Sequence, residues 1–327
     1  MRKLATIRKI LDIQPIEGAD AIECAQVDGW KVVVKRGEFE IGQLATYFEI
    51  DSWIPEHVAP FLCKDKREFN GVPGARLRTI KLRGQISQGL LLPAANDAAE
   101  GDDVTEALGV QKYEAPIPAQ LAGQVRGNFP LFVPKTDQER IQNLGFELEG
   151  WTTRDWIWEV TEKLDGSSMT AYLYQGEFGV CSRNLDLKED ENNSFWKAAR
   201  ANDLEEKLRH IGRNLALQGE LIGEGIQKNP YALKGQQFYL FDIYDIDAGR
   251  YLNAIERQEL TPDLQVNHCP VLDRTSLTDQ SQASLLAMAE GKSALNAKTE
   301  REGLVFKCLN AEVSFKAISN KFLLAEK

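Results

Sequence analysis

The first 93 residues alternate short apolar runs with polar turn residues. Turn signals fall at Asp28-Gly29, Gly37 and Gly42, and β-branched or aromatic runs such as residues 32–34 lie between them. Such runs, bounded by Gly and Asp, are typical of β-strands. Several short strands at this spacing predict a small barrel or sandwich, and about 90 residues suits an OB-type barrel.

Strand patterns return in the second half of the chain, after a segment rich in Ala, Asp, Pro and Gly at residues 94–128 that predicts a linker. They occur at WIWEV (156–160), MTAYLY (169–174), LQGELIGEG (217–225), QQFYLFDIYDI (236–246) and GLVFKCL (303–309). Residues 194–217 have helical periodicity and predict helix that covers a sheet. Thr136 with Glu139 three positions later predicts the start of another helix.

These patterns together predict an α+β fold in two domains. Residues 1–115 form an N-terminal OB-type β-barrel with its linker, and residues 116–327 form antiparallel sheets flanked by helices. The domain count agrees with the chain length, because 327 residues exceed the usual size of one domain.

Charge and cysteine content narrow the classes of function. The net charge of −10 disfavours nucleic-acid binding. Residues 1–93 are nevertheless slightly basic, and RLRTIKLR contains four basic residues. These residues either bind nucleic acid or deter pairing at a strand edge. These four are Arg76, Arg78, Lys81 and Arg83.

The five cysteines include no C-x-x-C pair, which argues against a disulfide framework and a zinc site and favours a reducing compartment. The N-terminal residues lack the apolar core of a signal peptide, and no apolar run reaches membrane-spanning length. We therefore expect a cytoplasmic protein that has no membrane partner.

The stretch VTEKLDGSSMTAY carries the first candidate chemistry. Asp165-Gly166 between two strand patterns predicts a hairpin turn, which on its own would leave Lys163 as a solvated cation at a strand end. The alternative is a reactive lysine with the hairpin as its scaffold. A phosphate-binding loop is not an option at Gly291-Lys292-Ser293, because the first glycine of that motif is missing and the segment reads as helix.

Six motifs in a fixed order favour the reactive lysine. KLDGSS, SRN (182–184), GELIGEG, FYLFDIY, EGLVFK and SFKAIS resemble the successive motifs of covalent nucleotidyltransferases, the superfamily of ATP-dependent RNA and DNA ligases and mRNA capping enzymes. DNA ligases and capping enzymes usually read K-x-D-G-x-R, whereas Ser168 stands in place of that arginine here. The predicted front barrel, with few residues after Lys316, resembles instead the RNA ligases that carry an OB module before the catalytic domain.

The resemblance implies a role for each motif residue. Lys163 would attack the α-phosphate of ATP, and the neutral amine that this needs requires a lowered pKa. Carboxylates would hold Mg²⁺ or Mn²⁺, largely through bound water, and other residues would contact the nucleotide. The metal-binding set is Asp165, Glu220 and Glu302; the nucleotide-binding set is Gly166, Arg183, Glu220, Phe241, Val305, Lys307 and Lys316.

Within the nucleotide-binding set, the resemblance places Phe241 against one face of adenine and Val305 against the other. Phe238 and Tyr239 are alternatives for the stacking ring. Lys316, and with less support Lys307, would neutralise charge on the α-phosphate. Many relatives have K-x-K in the last motif, where this chain has Lys316 followed by Ile318.

The expected function is to join 3'-hydroxyl and 5'-phosphate RNA ends through lysyl-AMP and RNA-adenylate. The expected partner is nicked or broken RNA, in an RNA–DNA or RNA–RNA duplex, bound by a monomer. Three alternatives remain at this point: a DNA ligase, a guanylyltransferase, and a catalytically silent nucleic-acid-binding adaptor.

Overall fold

The computed structural model describes residues 2–114 and 123–325, which form two compact units. The first unit contains residues 2–114, Ile141–Phe146 and residues 323–325. The second contains residues 123–140 and Glu147–Phe322. The predicted domain boundary, between residues 115 and 116, lies outside the described residues.

The first unit consists of short antiparallel strands in four small sheets. The bounds of its strands are β1 Ala5–Lys9, β2 Asp12–Ile16, β3 Ala19–Val27, β4 Trp30–Lys35, β5 Leu44–Phe48, β6 Ser52–Pro55, β7 Arg67–Phe69, β8 Val72–Arg76, β9 Thr79–Leu82, β10 Gln85–Gln88, β11 Leu90–Pro93 and β12 Gln111–Lys112. The sheets are β1-β5-β11, β2-β3-β4, β12-β6-β8-β7 and β10-β9. One turn of 3₁₀ helix, Pro60–Leu62, follows β6.

The segment after β11 packs on these strands, although we predicted it to be linker. Val110 is buried, and β12 pairs with β6. The Thr105 hydroxyl accepts a hydrogen bond from the Leu4 backbone N–H at 2.9 Å. Residues 94–114 therefore belong to the first unit, because their few apolar side chains complete its core.

The second unit is built on an eight-stranded and a five-stranded sheet. The larger sheet has the order β13-β18-β17-β16-β19-β20-β21, with β22 beside β20, and the smaller has the order β14-β25-β24-β15-β23. The strand bounds are β13 Val125–Asn128, β14 Glu139–Arg140, β15 Ile157–Lys163, β16 Ser167–Tyr174, β17 Glu177–Cys181, β18 Leu185–Leu187, β19 Leu215–Gly223, β20 Gln236–Asp245, β21 Arg250–Tyr251, β22 Asn267–His268, β23 Val271–Ser276, β24 Gly303–Cys308 and β25 Ser314–Ile318. The predicted strands and the α+β class are thus confirmed.

Short helices flank these sheets. The α-helices are α1 Gly145–Thr152, α2 Ser194–Ala201, α3 Leu204–Ile211, α4 Ala254–Glu259, α5 Thr261–Leu264, α6 Gln282–Ala289 and α7 Asn320–Ala325, and Ile141–Asn143 is 3₁₀. Phe195, Trp196 and Leu208 of α2 and α3 bury against Met169 and Phe238 of the larger sheet. Among the residues that the structure describes, no helix is both long and apolar enough to cross a bilayer.

Two helix predictions were wrong in part. Residues 194–217 are two helices and the start of β19, because Asp203 adopts φ of 50° and Gly212 adopts φ of 69°, which end the helical periodicity. Thr136 does not begin a helix. The segment after it instead forms β14, which pairs in parallel with β25.

The turn between Lys163 and Ser167 is not a hairpin, which corrects another prediction. β15 pairs with β23 and β24 in the smaller sheet, whereas β16 pairs with β17 and β19 in the larger one. The chain therefore passes from one sheet to the other at Leu164, Asp165 and Gly166.

Candidate active site

One face of the smaller sheet carries the chemistry, and the other is a core. Lys163 lies opposite Gly303, and Val305 lies between Thr161 and Lys316 in register. Since alternate residues of a strand share a face, Lys163, Val305 and Lys316 lie on one side. Neighbouring residues on the other side form a packed aromatic stack of Trp151, Trp158, Phe306 and Phe315.

Lys163 is half-buried among carboxylates. Its Nζ lies 2.8 Å from Oε1 of Glu302, which precedes β24 directly. Burial lowers the pKa of Lys163, but the charges of Glu302, Glu220 and Asp165 outweigh burial, and the pKa lies above its ordinary value. In the ligand-free site the amine therefore keeps its proton.

Glu220 comes to this cluster from the larger sheet, where it lies opposite Ser168 on β16. Burial raises the pKa of Glu220 to about 8; Lys163 opposes this shift, and the charges of Glu302 and Asp165 add to it. The exposed Arg183 weakly favours the ionised carboxylate. The predicted residues Lys163, Asp165, Glu220 and Glu302 thus come together from both sheets.

The carboxylates suit a hydrated divalent cation. Three acidic side chains act on one lysine, and carboxylate oxygens are the ligands that Mg²⁺ prefers. Within the described ranges, no group of three His, Cys, Asp or Glu side chains is close enough to hold a metal directly. That the carboxylates hold the ion largely through water stays a prediction.

Gly166 is required by close approach to the larger sheet. A Cβ there would lie 2.5 Å from the Leu221 carbonyl oxygen and 2.9 Å from Cγ of Glu220. Any larger residue would push the turn away from β19. Lys163 and Asp165 would then move away from Glu220, which lies on that strand. The constraint is therefore on the distance between the turn and the strand.

A β-bulge sets Phe241 apart from its neighbours. In the pairing of β19 with β20, Gln218 lies opposite Asp242 and Gly219 opposite Leu240, so Phe241 is the extra residue. Bulges re-aim side chains and are frequent beside active sites. Phe241 is half-buried, whereas Phe238 and Tyr239 are buried. Of the three rings, Phe241 is the most accessible for stacking on adenine.

Lys307 occupies a different environment from the one we predicted. Its Nζ lies 2.8 Å from Oδ1 of Asp242 and donates to the Phe241 carbonyl oxygen, and it sits 5.7 Å from the Phe241 ring centroid. Burial, together with the nearby Arg257 charge, lowers the pKa of Lys307, and Asp242 opposes this shift. The amine is therefore engaged by protein groups that connect β24 to β20 behind the adenine-stacking candidate.

Lys316 lies at the far side of the same face. Its Nζ is 3.1 Å from Oδ1 of Asp137, and Arg140 of β14 is its strand partner. Arg140 is buried. Ile318, at the position of the second lysine in many relatives, is also buried.

The four predicted RNA-binding bases lie in the first unit and divide into two kinds. Arg76 pairs with Asp51 at 2.5 Å and covers the Tyr113 ring, so its guanidinium stabilises the unit. Arg78 is half-buried, and Lys81 and Arg83 are exposed on the hairpin of β9 and β10. This hairpin is the part of the predicted basic edge that stands open to solvent.

Sequence reasoning missed two residues of the second unit. Asp137 pairs with Lys316, and the Tyr231 phenol contacts the backbone of Asp165. Asp137 and Tyr231 lie in loops, where no periodicity indicates which way a side chain points.

Comparison with known proteins agrees with this geometry. Residues 157–318 match the RNA ligase family model, and residues 4–94 match an OB-fold domain model. A comparison with functionally characterised sequences finds no significant match.

Solved structures of Naegleria gruberi RNA ligase are similar to the whole chain. The complex with pyrophosphate is 51% identical, with a TM-score of 0.92 over 100% of this chain and 99% of that one. A variant with ATP and Mn is also 51% identical, with a TM-score of 0.91 over 98% of each chain. A ligand-free variant is 51% identical as well, with a TM-score of 0.92 over 99% of this chain and 98% of that one. On this identity over nearly the full length of both proteins, the chain belongs to the RNA ligase family.

Proposed function

We propose that this protein joins a 3'-hydroxyl and a 5'-phosphate RNA end with ATP, through AMP carried on Lys163. One observation carries the proposal. The Lys163 amine lies 2.8 Å from Glu302, and Asp165 and Glu220 act on the same amine, at the point where the chain crosses between sheets. A solvated lysine at a strand end would not have carboxylates from three separate chain segments around it.

The chain's own residues explain how the amine becomes a nucleophile. Its nitrogen forms a bond to the α-phosphorus of ATP, pyrophosphate leaves, and the amine proton must leave first. Glu302 accepts a hydrogen bond from the amine and so orients its nitrogen. A divalent cation, when bound by Asp165, Glu220 and Glu302, supplies positive charge that favours the neutral amine and screens the α-phosphate.

Lys316 and Arg140 supply fixed positive charge for the phosphates. They are partners in neighbouring parallel strands, so their side chains lie on the same face. Ile318 supplies no charge, and Arg140 is the basic residue opposite Lys316 in the strand pairing. Cations placed where charge builds on the α-phosphate stabilise the transition state.

The solved relatives support these roles. Naegleria gruberi RNA ligase was solved with ATP and Mn, with AMP and Mn, and with pyrophosphate. Two of its alanine variants replace a lysine and an aspartate two positions later, the spacing of Lys163 and Asp165. A third replaces a glutamate as far along that chain from its lysine as Glu220 is from Lys163. We infer that this chain uses ATP with Mg²⁺ or Mn²⁺ in the same way.

Labelled ATP tests the first step. After incubation with α-labelled ATP and Mg²⁺, the denatured protein should carry an acid-labile label, and Lys163→Ala should carry none while keeping its circular-dichroism spectrum. Lys292→Ala is the matched control, because Lys292 is an exposed lysine paired with Glu300 in the same unit. An unlabelled wild-type protein would contradict the enzyme and favour a silent adaptor.

We infer that the first unit holds the RNA strand that ends in the 3'-hydroxyl, in an RNA–RNA or RNA–DNA duplex. The exposed basic side chains of the β9–β10 hairpin and the match to an OB-fold model support this role. A nick with RNA on the 3'-hydroxyl side should be sealed at least about tenfold faster than an all-DNA nick. Equal rates on both nicks would overturn the RNA preference.

We infer further that the enzyme acts as a monomer in the cytoplasm. Lys163 and its three carboxylates come from a single chain, and all five cysteines are free thiols, as expected in a reducing compartment. Light scattering during gel filtration should give the mass of one chain. An active dimer that loses adenylylation on dilution would refute the monomer.

A further inference from the structure

The loop between β19 and β20, residues 224–235, has an unusual backbone. Gln227, Lys228 and Asn229 have φ of 45°, 60° and 52°, and Ala232 has φ of 54°. Residues other than glycine seldom adopt these angles, and three in succession are rarer still. Such a conformation persists only where surrounding contacts enforce it. Backbone conformations of this kind are frequent beside functional sites.

Two side chains of this loop bind adjacent backbone groups of the Lys163–Ser167 turn. The Tyr231 phenol oxygen accepts a hydrogen bond from the Asp165 backbone N–H at 2.5 Å. The Gln227 amide nitrogen donates to the Gly166 carbonyl oxygen at 3.3 Å. The loop therefore binds the turn on both its donor and its acceptor side.

The loop is itself held by three hydrogen bonds at two places. The Asn229 side chain donates to the Leu233 carbonyl at 2.8 Å and accepts from its N–H at 3.1 Å, which closes the loop on itself. Asn296 donates to the Pro230 carbonyl at 2.8 Å. These bonds hold the residue before Tyr231 in place.

Packing fixes the Tyr231 ring as firmly as hydrogen bonds fix the loop. Tyr231 is 4% exposed and packs with Leu164, Ile222, Tyr239 and Cys269. Burial raises the pKa of Tyr231 above its ordinary value, so the phenol stays neutral across the range in which the enzyme would work. A neutral, buried acceptor thus faces the Asp165 N–H.

We propose that Tyr231, assisted by Gln227, is a positioning residue for lysine adenylylation. It sets the backbone at Asp165, and that backbone sets the distance from the Lys163 amine to Glu302 and Glu220. A half-exposed turn could satisfy the same N–H with water, so the buried phenol serves the geometry of the turn more than its solvation. This proposal rests on the proposed role of Lys163 as the acceptor of AMP.

The first test separates rate from binding in the full-length protein. Tyr231→Phe deletes only the phenol oxygen, and it should lower the single-turnover rate of AMP transfer at saturating ATP by about tenfold, with KM for ATP changed by less than about twofold. Tyr174→Phe is the matched control, since its oxygen accepts an exposed side-chain hydrogen bond from Gln175. The control should transfer AMP at the wild-type rate.

The second test measures the hydrogen bond directly. Hydrogen exchange of the Asp165 amide, followed by NMR without nucleotide, should be about tenfold faster in Tyr231→Phe than in wild type. If Tyr231→Phe fails to fold, Gln227→Ala at an exposed position takes its place, with a smaller rate loss of about threefold and faster exchange of the Asp165 amide. Wild-type rates and exchange in the folded variant would overturn the proposal.

The outcomes distinguish this inference from the function on which it rests. A wild-type protein that takes no label from ATP refutes the proposed function. A labelled wild type with an equally fast Tyr231→Phe refutes only the positioning role. A variant that binds ATP as wild type does but transfers AMP slowly supports both.

Discussion

Glu220 lowers the stability of the ligand-free protein. Its pKa is raised to about 8, so the folded state binds a proton that the unfolded state releases near its ordinary value of 4.5. Stability then falls as pH rises from about 4.5 to 8 and levels off above that range. Glu220→Gln should therefore raise the Tm by a few °C at pH 8 and by much less at pH 5, while abolishing adenylylation. Thermal unfolding across this pH range checks the prediction.

Glu300 provides the opposite case as a control. Its ion pair with Lys292 lowers the pKa of Glu300, and both side chains are well exposed. Glu300→Gln should change the Tm little, and in the direction of lower stability at neutral pH. If both substitutions shift the Tm alike, the Glu220 carboxylate is not penalised by its burial.

Phe241 and Phe238 should respond in different ways to the same truncation. Phe241→Ala removes a half-buried ring that we assign to adenine, so KM for ATP should rise about tenfold with little loss of stability. Phe238 is 1% exposed within the core, so Phe238→Ala should cost about 3–5 kcal/mol of unfolding free energy. Urea unfolding and the ATP dependence of labelling measure the two effects. A KM effect only at Phe238 would exchange the two assignments.

The motifs predicted residue types well and their contacts less well. Lys163, Asp165, Glu220 and Glu302 were identified because the chemistry needs a nucleophile and carboxylates in a fixed order. Lys307 was assigned to a phosphate, but Asp242 lies 2.8 Å from its amine. Which acidic side chain pairs with which basic one depends on the distance between residues of the two sheets. The sequence alone does not give that distance.

The β9–β10 hairpin should contribute to sealing and not to adenylylation. Lys81→Ala with Arg83→Ala removes two exposed charges, so RNA binding should weaken and its dependence on log salt should become less steep by about 1 to 2 units. AMP transfer to Lys163 should continue at the wild-type rate. Sealing of a nicked duplex and binding at several salt concentrations are the measurements.

Arg76→Ala is the informative comparison for that element. Because Arg76 pairs with Asp51 and covers Tyr113, its loss should lower the stability of the first unit by about 1 kcal/mol, and leave the salt dependence nearly unchanged. If Arg76→Ala alters the salt dependence as much as the hairpin variant does, the basic edge acts as a whole.

Individual elements were predictable where periodicity was long and unbroken. The strands β15, β16, β19, β20 and β24 all fall on the predicted patterns. The turn at Asp165-Gly166 was read as a hairpin because local sequence specifies a turn and does not specify the pairing partner. β16 finds β19, and β15 finds β24, through burial that only the folded sheets provide.

Across the whole molecule, the cysteines should react with thiol reagents at very different rates. All five are free; Cys24, Cys181, Cys269 and Cys308 are buried, whereas Cys63 is half-exposed. Burial raises the pKa of the Cys181 and Cys269 thiols, which makes them poor nucleophiles. A thiol reagent should modify one cysteine quickly in the native protein, and Cys63→Ser should remove that fast phase. Rapid modification of a second thiol would contradict the burial.

The order of the two domains along the chain was predictable from the sequence. Which residues belong to each unit was predictable only in part. The front barrel and the ligase domain follow from strand spacing and motif order. Residues 94–114 were assigned to a linker because their composition is that of a loop, yet Val110 and β12 complete the first unit. Ile141–Phe146 belongs to the first unit although the residues directly before it belong to the second, and no local pattern indicates this.

The passage from one sheet to the other imposes a limit on length as well as on chemistry. β15 ends at Lys163 and β16 begins at Ser167, with Ser168 directly opposite Glu220. One residue inserted between them would slip β16 against β19 and turn every side chain of that strand to the opposite face. The crossing is therefore constrained in its number of residues as well as in the identities of Asp165 and Gly166.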